Sequence, residues 1–504
     1  MKEMIIMKKS YETLNSMLER SMALQTSLVL FEWDNETLAP EDAGSYTNRV
    51  IGLLSEEYYR IMTGDEMGNA IEACEKEDGL SDVEQAIVKA AREAREDLIC
   101  IPSEEYRENA QLVADAVRIW TKAKKSEEFD SFAPTLEKVI GFKKKFASYR
   151  KKDDQKLYDV MLKEHEKDFN SEDLDEFFSQ LKKEIVPLLK EITEHGKEID
   201  DSFLTGGYPI EKQKEMAEFL AKYVGFDFKK GVLSESAHPF TTNLHNHDVR
   251  ITTSYHERMD SSMFSVIHEG GHGLYELGID DDITQTPVGQ GSSMGVHESQ
   301  SRFFENIIGR KEAFWEPIYG KLQELYPDKL SNISLEQYVE AINKVEPSFI
   351  RTEADELTYS LHIMIRYEIE KMIVEEDIDL KKLPDIWADK YEEYLGVRPD
   401  KPSLGILQDI HWSQGMFGYF PSYALGNAFG AQLYYHMQKD MDFDELLRDE
   451  KINVISEFLR ENIHRFGKLK TSRQLLKDIT GEDFNPDYFI RYLKEKYRKL
   501  YELS

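Results

Sequence analysis

The spacing of its apolar residues constrains this chain most: they recur three and four apart through dense charge from Tyr11 to about Asp200, as in Leu14, Met17, Leu18, Met22 and Leu24. That period lines them along one stripe of an α-helix. Breaks at Leu38-Ala39-Pro40-Glu41, Lys76-Glu77-Asp78-Gly79, Ile101-Pro102-Ser103 and Gly206-Gly207-Tyr208-Pro209 predict helix ends by Gly and Pro punctuation. A clear two-residue period occurs where Val249, Ile251 and Thr253 alternate with Arg250, Thr252 and Ser254, predicting a strand in a charge-poor stretch from Ala237 to Tyr255. Helix-like sequence resumes at Asp260, a Gly/Ser/Thr-rich stretch from Asp281 to Val296 reads as a loop, and helix dominates afterwards except between Gly405 and Gly430. No repeat or linker divides the chain, so the expectation is one mainly α domain over residues 1–504.

With 504 residues the chain can bury a large core and still wall a cleft. Asp and Glu total 96 against 64 Lys and Arg, a formal charge of -32, which excludes a nucleic-acid partner on electrostatic grounds. The 32% charged share interrupts the sequence too evenly for membrane spans. The apolar stretch Met4 to Met7 is too short for a signal-peptide core, which predicts a cytoplasmic protein. Cys74 and Cys100 form no C-x-x-C pair and read as two reduced thiols.

Seven of the thirteen histidines (His238, His245, His247, His256, His268, His272 and His297) fall within sixty residues. Among them stands His268-Glu269-Gly270-Gly271-His272, the H-E-x-x-H pattern, which chance would produce in only about three chains of this composition per hundred. Asp260, Ser261 or Ser262 is expected to cap its helix and Gly278 to end it. At i and i+4, His268 and His272 share a helix face and can hold one Zn2+, while Glu269 points toward the open coordination position as general base. Gly270 and Gly271 read as places where another backbone or a substrate comes close. A catalytic zinc needs a third protein ligand, and Glu298, 26 residues past His272 at the expected start of the helix through Phe303, Phe304 and Ile307, is the candidate. Co2+ and Mn2+ suit the same donors.

These residues stand in a wider pattern. His238-Pro239-Phe240, Asp248-Val249-Arg250-Ile251-Thr252, His297-Glu298-Ser299-Gln300, Ile350-Arg351-Thr352-Glu353-Ala354-Asp355 and Gly405-Ile406-Leu407-Gln408-Asp409-Ile410-His411-Trp412 follow in order, with an early block Glu32-Trp33-Asp34-Asn35-Glu36-Thr37. With H-E-x-x-H, this set resembles the carboxypeptidase Taq family of metallocarboxypeptidases over nearly the whole chain. The resemblance implies a large helical peptidase fold with a deep substrate groove, a small β-sheet beside the metal site and N-terminal helices (about 1–200) forming one wall or lid. It also implies a homodimer and a metal-dependent removal of single C-terminal amino acids from peptide substrates, with broad specificity.

Within that reading the developing oxyanion needs donors, and His411, Tyr423 and Tyr419 are the candidates, with core packing the plain alternative for the tyrosines. Arg250 and Arg351 lie in the two blocks that close the groove in relatives and read as binders of the terminal carboxylate; internal ion pairs with Asp248 and Asp355 are the alternative. His238, before Pro239, suits an extended groove wall. His245 and His247, two apart on an expected strand, read as groove or supporting histidines. His165, His195 and His464 read as ordinary surface residues. The rivals are an oligoendopeptidase with the same zinc site and a non-catalytic metal-binding helical scaffold.

Overall fold

A computed structural model describes residues 2–376 and 378–503. The predicted breaks fall between helices: Lys2–Thr37, Gly44–Thr63, Asp65–Glu75, Asp82–Ile99 and Ser103–Ser126 follow one another, and the Gly206 to Pro209 break precedes Ile210–Val224. Leu14, Leu18, Met62, Met67, Ile71, Ile87 and Val88 from the first four helices form a small apolar cluster closed by Ile279, Ile283 and Val288. Most buried apolar side chains from Ala116 onward join the large core.

Three strands, β1 (Gly231–Glu235), β2 (Thr241–His245) and β3 (Asp248–Thr253), form one sheet in the order β1-β3-β2, parallel between β1 and β3 and antiparallel between β2 and β3. Alternation along β3 gives the sheet two different faces. Thr253 donates toward the Ser262 carbonyl and Ser265 Oγ, and Ile251 lies against Gly273, so this face covers the helix Met259–Leu277. Arg250 and Thr252 point the other way, where Trp33 of the first helix packs edge-on against Phe240 and stands 5.6 Å from the Arg250 guanidinium. His245 ends β2, but His247 lies in the turn and meets Asp281 at 3.1 Å, so the two do not share a strand face.

The helix Glu356–Glu375 runs through the core and is buried nearly all round. Several of its polar side chains are matched internally: Arg366 donates to Asp409 at 2.7 Å, His362 Nδ1 meets the Tyr391 hydroxyl at 2.9 Å, and Glu370 accepts from Trp412 Nε1 at 2.8 Å. The stretch expected to interrupt helix up to Gly430 does so only to Phe420; Pro421, in the first turn, opens a helix to Met437.

Candidate metal centre and its surroundings

The H-E-x-x-H helix spans Met259–Leu277 and stops at Gly278 as expected, but its start differs. Asp260 does not cap; it is drawn into an ion pair with Arg258, the residue at the cap position. The helix carrying Glu298 begins at Met294 rather than at Glu298, because Ser293 accepts from the Val296 N–H and caps it inside the expected loop. Beyond Arg302 this helix widens into a π-turn over Phe303–Ile308, which carries Glu305.

Gly271 is where the two helices meet. A β-carbon there would stand 2.6 Å from the Gln300 carbonyl oxygen and 2.7 Å from Ser301 Cα, so the close backbone approach expected at this pair of glycines occurs at Gly271. Gly426 of the helix Pro421–Met437 serves the other side, since its β-carbon would meet Glu298 Cγ at 2.6 Å.

This packing brings His268, His272 and Glu298 together, with one donor atom from each all within 4.8 Å of one another. His272 Nε2 lies 3.4 Å and His268 Nε2 3.7 Å from Glu298 Oε2. A tetrahedral ion with bonds of about 2.0–2.2 Å separates its ligand pairs by about 3.3–3.6 Å. Two imidazoles and one carboxylate at this spacing therefore fit a divalent ion of the zinc type, and each imidazole keeps about a sixth of its side chain accessible (17% and 16%).

The second ring nitrogens fix which atoms face the ion. His268 Nδ1 is 2.8 Å from Glu305 Oε2. His272 Nδ1 is 2.6 Å from His297 Nδ1, and His297 Nε2 is 2.7 Å from Glu276 Oε1. With the Glu276 carboxylate accepting from His297 Nε2–H, and His297 Nδ1 accepting from His272 Nδ1–H, both ligand Nε2 lone pairs are left for the ion. Glu276 also accepts from Asn243 and the Gly291 N–H. Arg302 donates to Glu298 Oε1 at 2.7 Å and to Glu305 Oε2 at 3.0 Å.

Protonation follows from burial and these neighbours. Burial opposes ionisation of Glu298, but Arg302 and His268 hold it well below the usual carboxylate range. Against burial, Arg302 and His268 likewise hold Glu305 down to about 2. Burial takes His272 down to about 3, which keeps it neutral. Glu269 shifts upward through burial, against the His268 charge and a 2.6 Å hydrogen bond from the Thr241 hydroxyl of β2.

A second cluster adjoins the first. Arg351, buried, donates through Nε to Asp409 at 2.9 Å and through Nη1 to the Tyr359 hydroxyl at 3.1 Å. Its partner is thus Asp409 rather than Asp355, which instead caps the helix Glu356–Glu375. The Arg351 guanidinium lies 4.9 Å from the Tyr423 ring, whose hydroxyl is 3.2 Å from His411 Nε2; Tyr419 packs edge-on against Tyr423. Burial raises Tyr419 to about 12 and holds Tyr423 well above its ordinary value, and both also feel the Glu298 charge. Burial and the Arg351 charge lower His411 to about 3, so its imidazole is neutral.

Arg250 stands apart from these groups. It is paired to Asp248 at 2.8 and 2.9 Å on the sheet face opposite Glu269. His238 is exposed in the segment between β1 and β2. Two of the histidines expected at the surface are not there: His464 is buried and meets Gln300 Oε1 at 2.8 Å, and His165 packs edge-on against Tyr419; His195 is exposed. Glu276, Arg302 and Glu305 carried a usable sequence signal, since they lie four residues after His272, four after Glu298 and seven after Glu298. Thr241 and Tyr359 carried none.

Comparison with known proteins gives one consistent family. Residues 13–497 match the family described as carboxypeptidase Taq (M32) metallopeptidase. Carboxypeptidase 1 of Bacillus subtilis (strain 168) is 43% identical over 97% of this chain and 98% of its own length. Thermostable carboxypeptidase 1 of Thermus thermophilus is 35% identical over 96% and 97%. The crystal structure of the M32 carboxypeptidase from Deinococcus radiodurans R1 superposes with a TM-score of 0.94 at 32% identity, covering 98% of this chain and all of that one.

Proposed function

This chain belongs to the carboxypeptidase Taq (M32) metallopeptidase family and is a metal-dependent carboxypeptidase; from that premise we propose that its ion is Zn2+ held by His268, His272 and Glu298, that Glu269 is the general base, and that single C-terminal residues are released with broad specificity. The observation that carries this reading is the convergence of two imidazole nitrogens and one ionised carboxylate oxygen beside a buried second carboxylate. A divalent ion bound there supplies a Lewis acid that lowers the pKa of its water from 15.7 to about 7.

The side chains divide the remaining work. Glu269, oriented by Thr241, takes a proton from the attacking water and passes it to the leaving amine. Tyr423, paired with neutral His411, and Tyr419 beside it are the donors for the developing oxyanion. Arg351 and Arg366 share the single carboxylate of Asp409, leaving one positive charge to bind a terminal carboxylate. Arg250 and His238 are assigned to the groove wall farther from the ion, and the helices of residues 1–200 to one side of the groove within a single domain spanning residues 1–504.

A homodimer in the cytoplasm belongs to the same proposal; among the described residues no helix is long and apolar enough to cross a membrane. A peptide offered with a free and with an amidated C-terminus tests the reaction, read by product masses. Stepwise loss of single residues from the free peptide alone is expected. Equal cleavage of both at internal bonds would assign an oligoendopeptidase instead.

A further inference from the structure

The two clusters of the site share one side chain. The Arg302 guanidinium lies 4.0 Å over the centre of the Tyr359 ring, while the hydroxyl of the same ring accepts from Arg351 Nη1. Arg302 touches both Glu298 and Glu305, at 2.7 and 3.0 Å. Through Glu305 it also bears on His268. Its fork therefore sets which oxygen of Glu298 is left for an ion and which nitrogen of His268 is protonated. Something must hold the guanidinium plane in place, and the Tyr359 ring is the surface it rests on. Tyr359 itself is buried and fixed at its far end by Arg351.

We propose that Tyr359 is a positioning residue for both halves of the site: its ring seats Arg302 behind two of the three metal ligands, and its hydroxyl seats Arg351. The second half rests on the reading of Arg351 as the group that binds the terminal carboxylate; the first half does not. The two roles use different atoms of one side chain. Replacing the hydroxyl alone should disturb substrate binding, and replacing the ring should disturb metal retention.

The test measures zinc transfer from the loaded enzyme to a chromogenic chelator, together with KM and kcat on a peptide with a free C-terminus. Tyr359→Phe is expected to retain zinc like the wild type while KM rises about 5–10-fold at unchanged kcat, as loss of one charge-assisted hydrogen bond predicts. Tyr359→Met is expected to lose zinc about 10–100-fold more readily, the range seen when partners of metal ligands are removed. Arg302→Lys, which keeps the charge and loses the fork, should do the same and reads this arm if Tyr359→Met does not fold. Wild-type zinc retention in Tyr359→Met, or in Arg302→Lys where it stands in, overturns the first half. An unchanged KM in Tyr359→Phe overturns the second. Arg351→Gln separates the two readings: unchanged KM there refutes the assignment of Arg351 and with it the second half, whereas a raised KM there with a normal Tyr359→Phe refutes only the role of Tyr359.

Discussion

Arg351 and Arg250 are both paired, yet their company differs. Arg351 shares Asp409 with Arg366, so two guanidiniums face one carboxylate, whereas Arg250 is matched by Asp248 alone. A guanidinium already matched has less to offer an incoming carboxylate. Arg351→Gln is therefore expected to raise KM for free C-termini about 10–100-fold and to erase the preference over amidated peptides, the scale of a lost charge-assisted pair. Arg250→Gln should change KM less; steady-state kinetics on the matched peptides checks this, and the opposite ranking would make Arg250 the principal reader. At this scale the histidines of the candidate metal group were legible, because H-E-x-x-H fixes residue type and spacing together. The partners of the arginines were not: Asp409 lies 58 residues beyond Arg351, and Asp355, the neighbour in sequence, is occupied by capping a helix.

Between elements, Glu166 ties two helices to one carboxylate. It accepts from the Gly295 N–H, at the start of the helix bearing Glu298, and from Ser422 at 2.8 Å, at the start of the helix bearing Tyr423. Burial pushes its carboxyl up from 4.5 to about 7. The folded chain then keeps this proton through a window in which the unfolded chain has released it, so the contribution of Glu166 to stability falls as pH rises from 4.5 to about 7. Over the whole window the loss is on the order of 3 kcal/mol. Thermal unfolding of wild type and Glu166→Gln across this range should show the wild type losing ground to the variant as pH rises; parallel curves would contradict it. Helix ends at Gly and Pro were readable from sequence for most of the chain. The earlier start at Met294 was not, because a Ser-rich stretch signals loop and cap alike until Ser293 is seen bonded to Val296.

At the scale of the molecule the formal charge is -32, while the second cluster sets two arginines against one aspartate. An acidic peptide must approach through a repulsive field before it meets that cluster. Raising ionic strength from about 0.01 M to 0.15 M shortens the screening length from about 30 Å to 8 Å. KM for an acidic peptide should fall several-fold over that range while a neutral one changes little, and an equal response of both would remove the field from the account. The helical class and the metal motif were legible at this scale too. The division of apolar residues into a small N-terminal cluster and a larger core was not, since helical periodicity says which face is buried and not what covers it. The most direct test of the central claim is Glu269→Gln, assayed for bound zinc and for release of C-terminal residues. The account predicts one zinc per chain and a turnover lowered by about 10²–10⁴; wild-type turnover with zinc in place would contradict it.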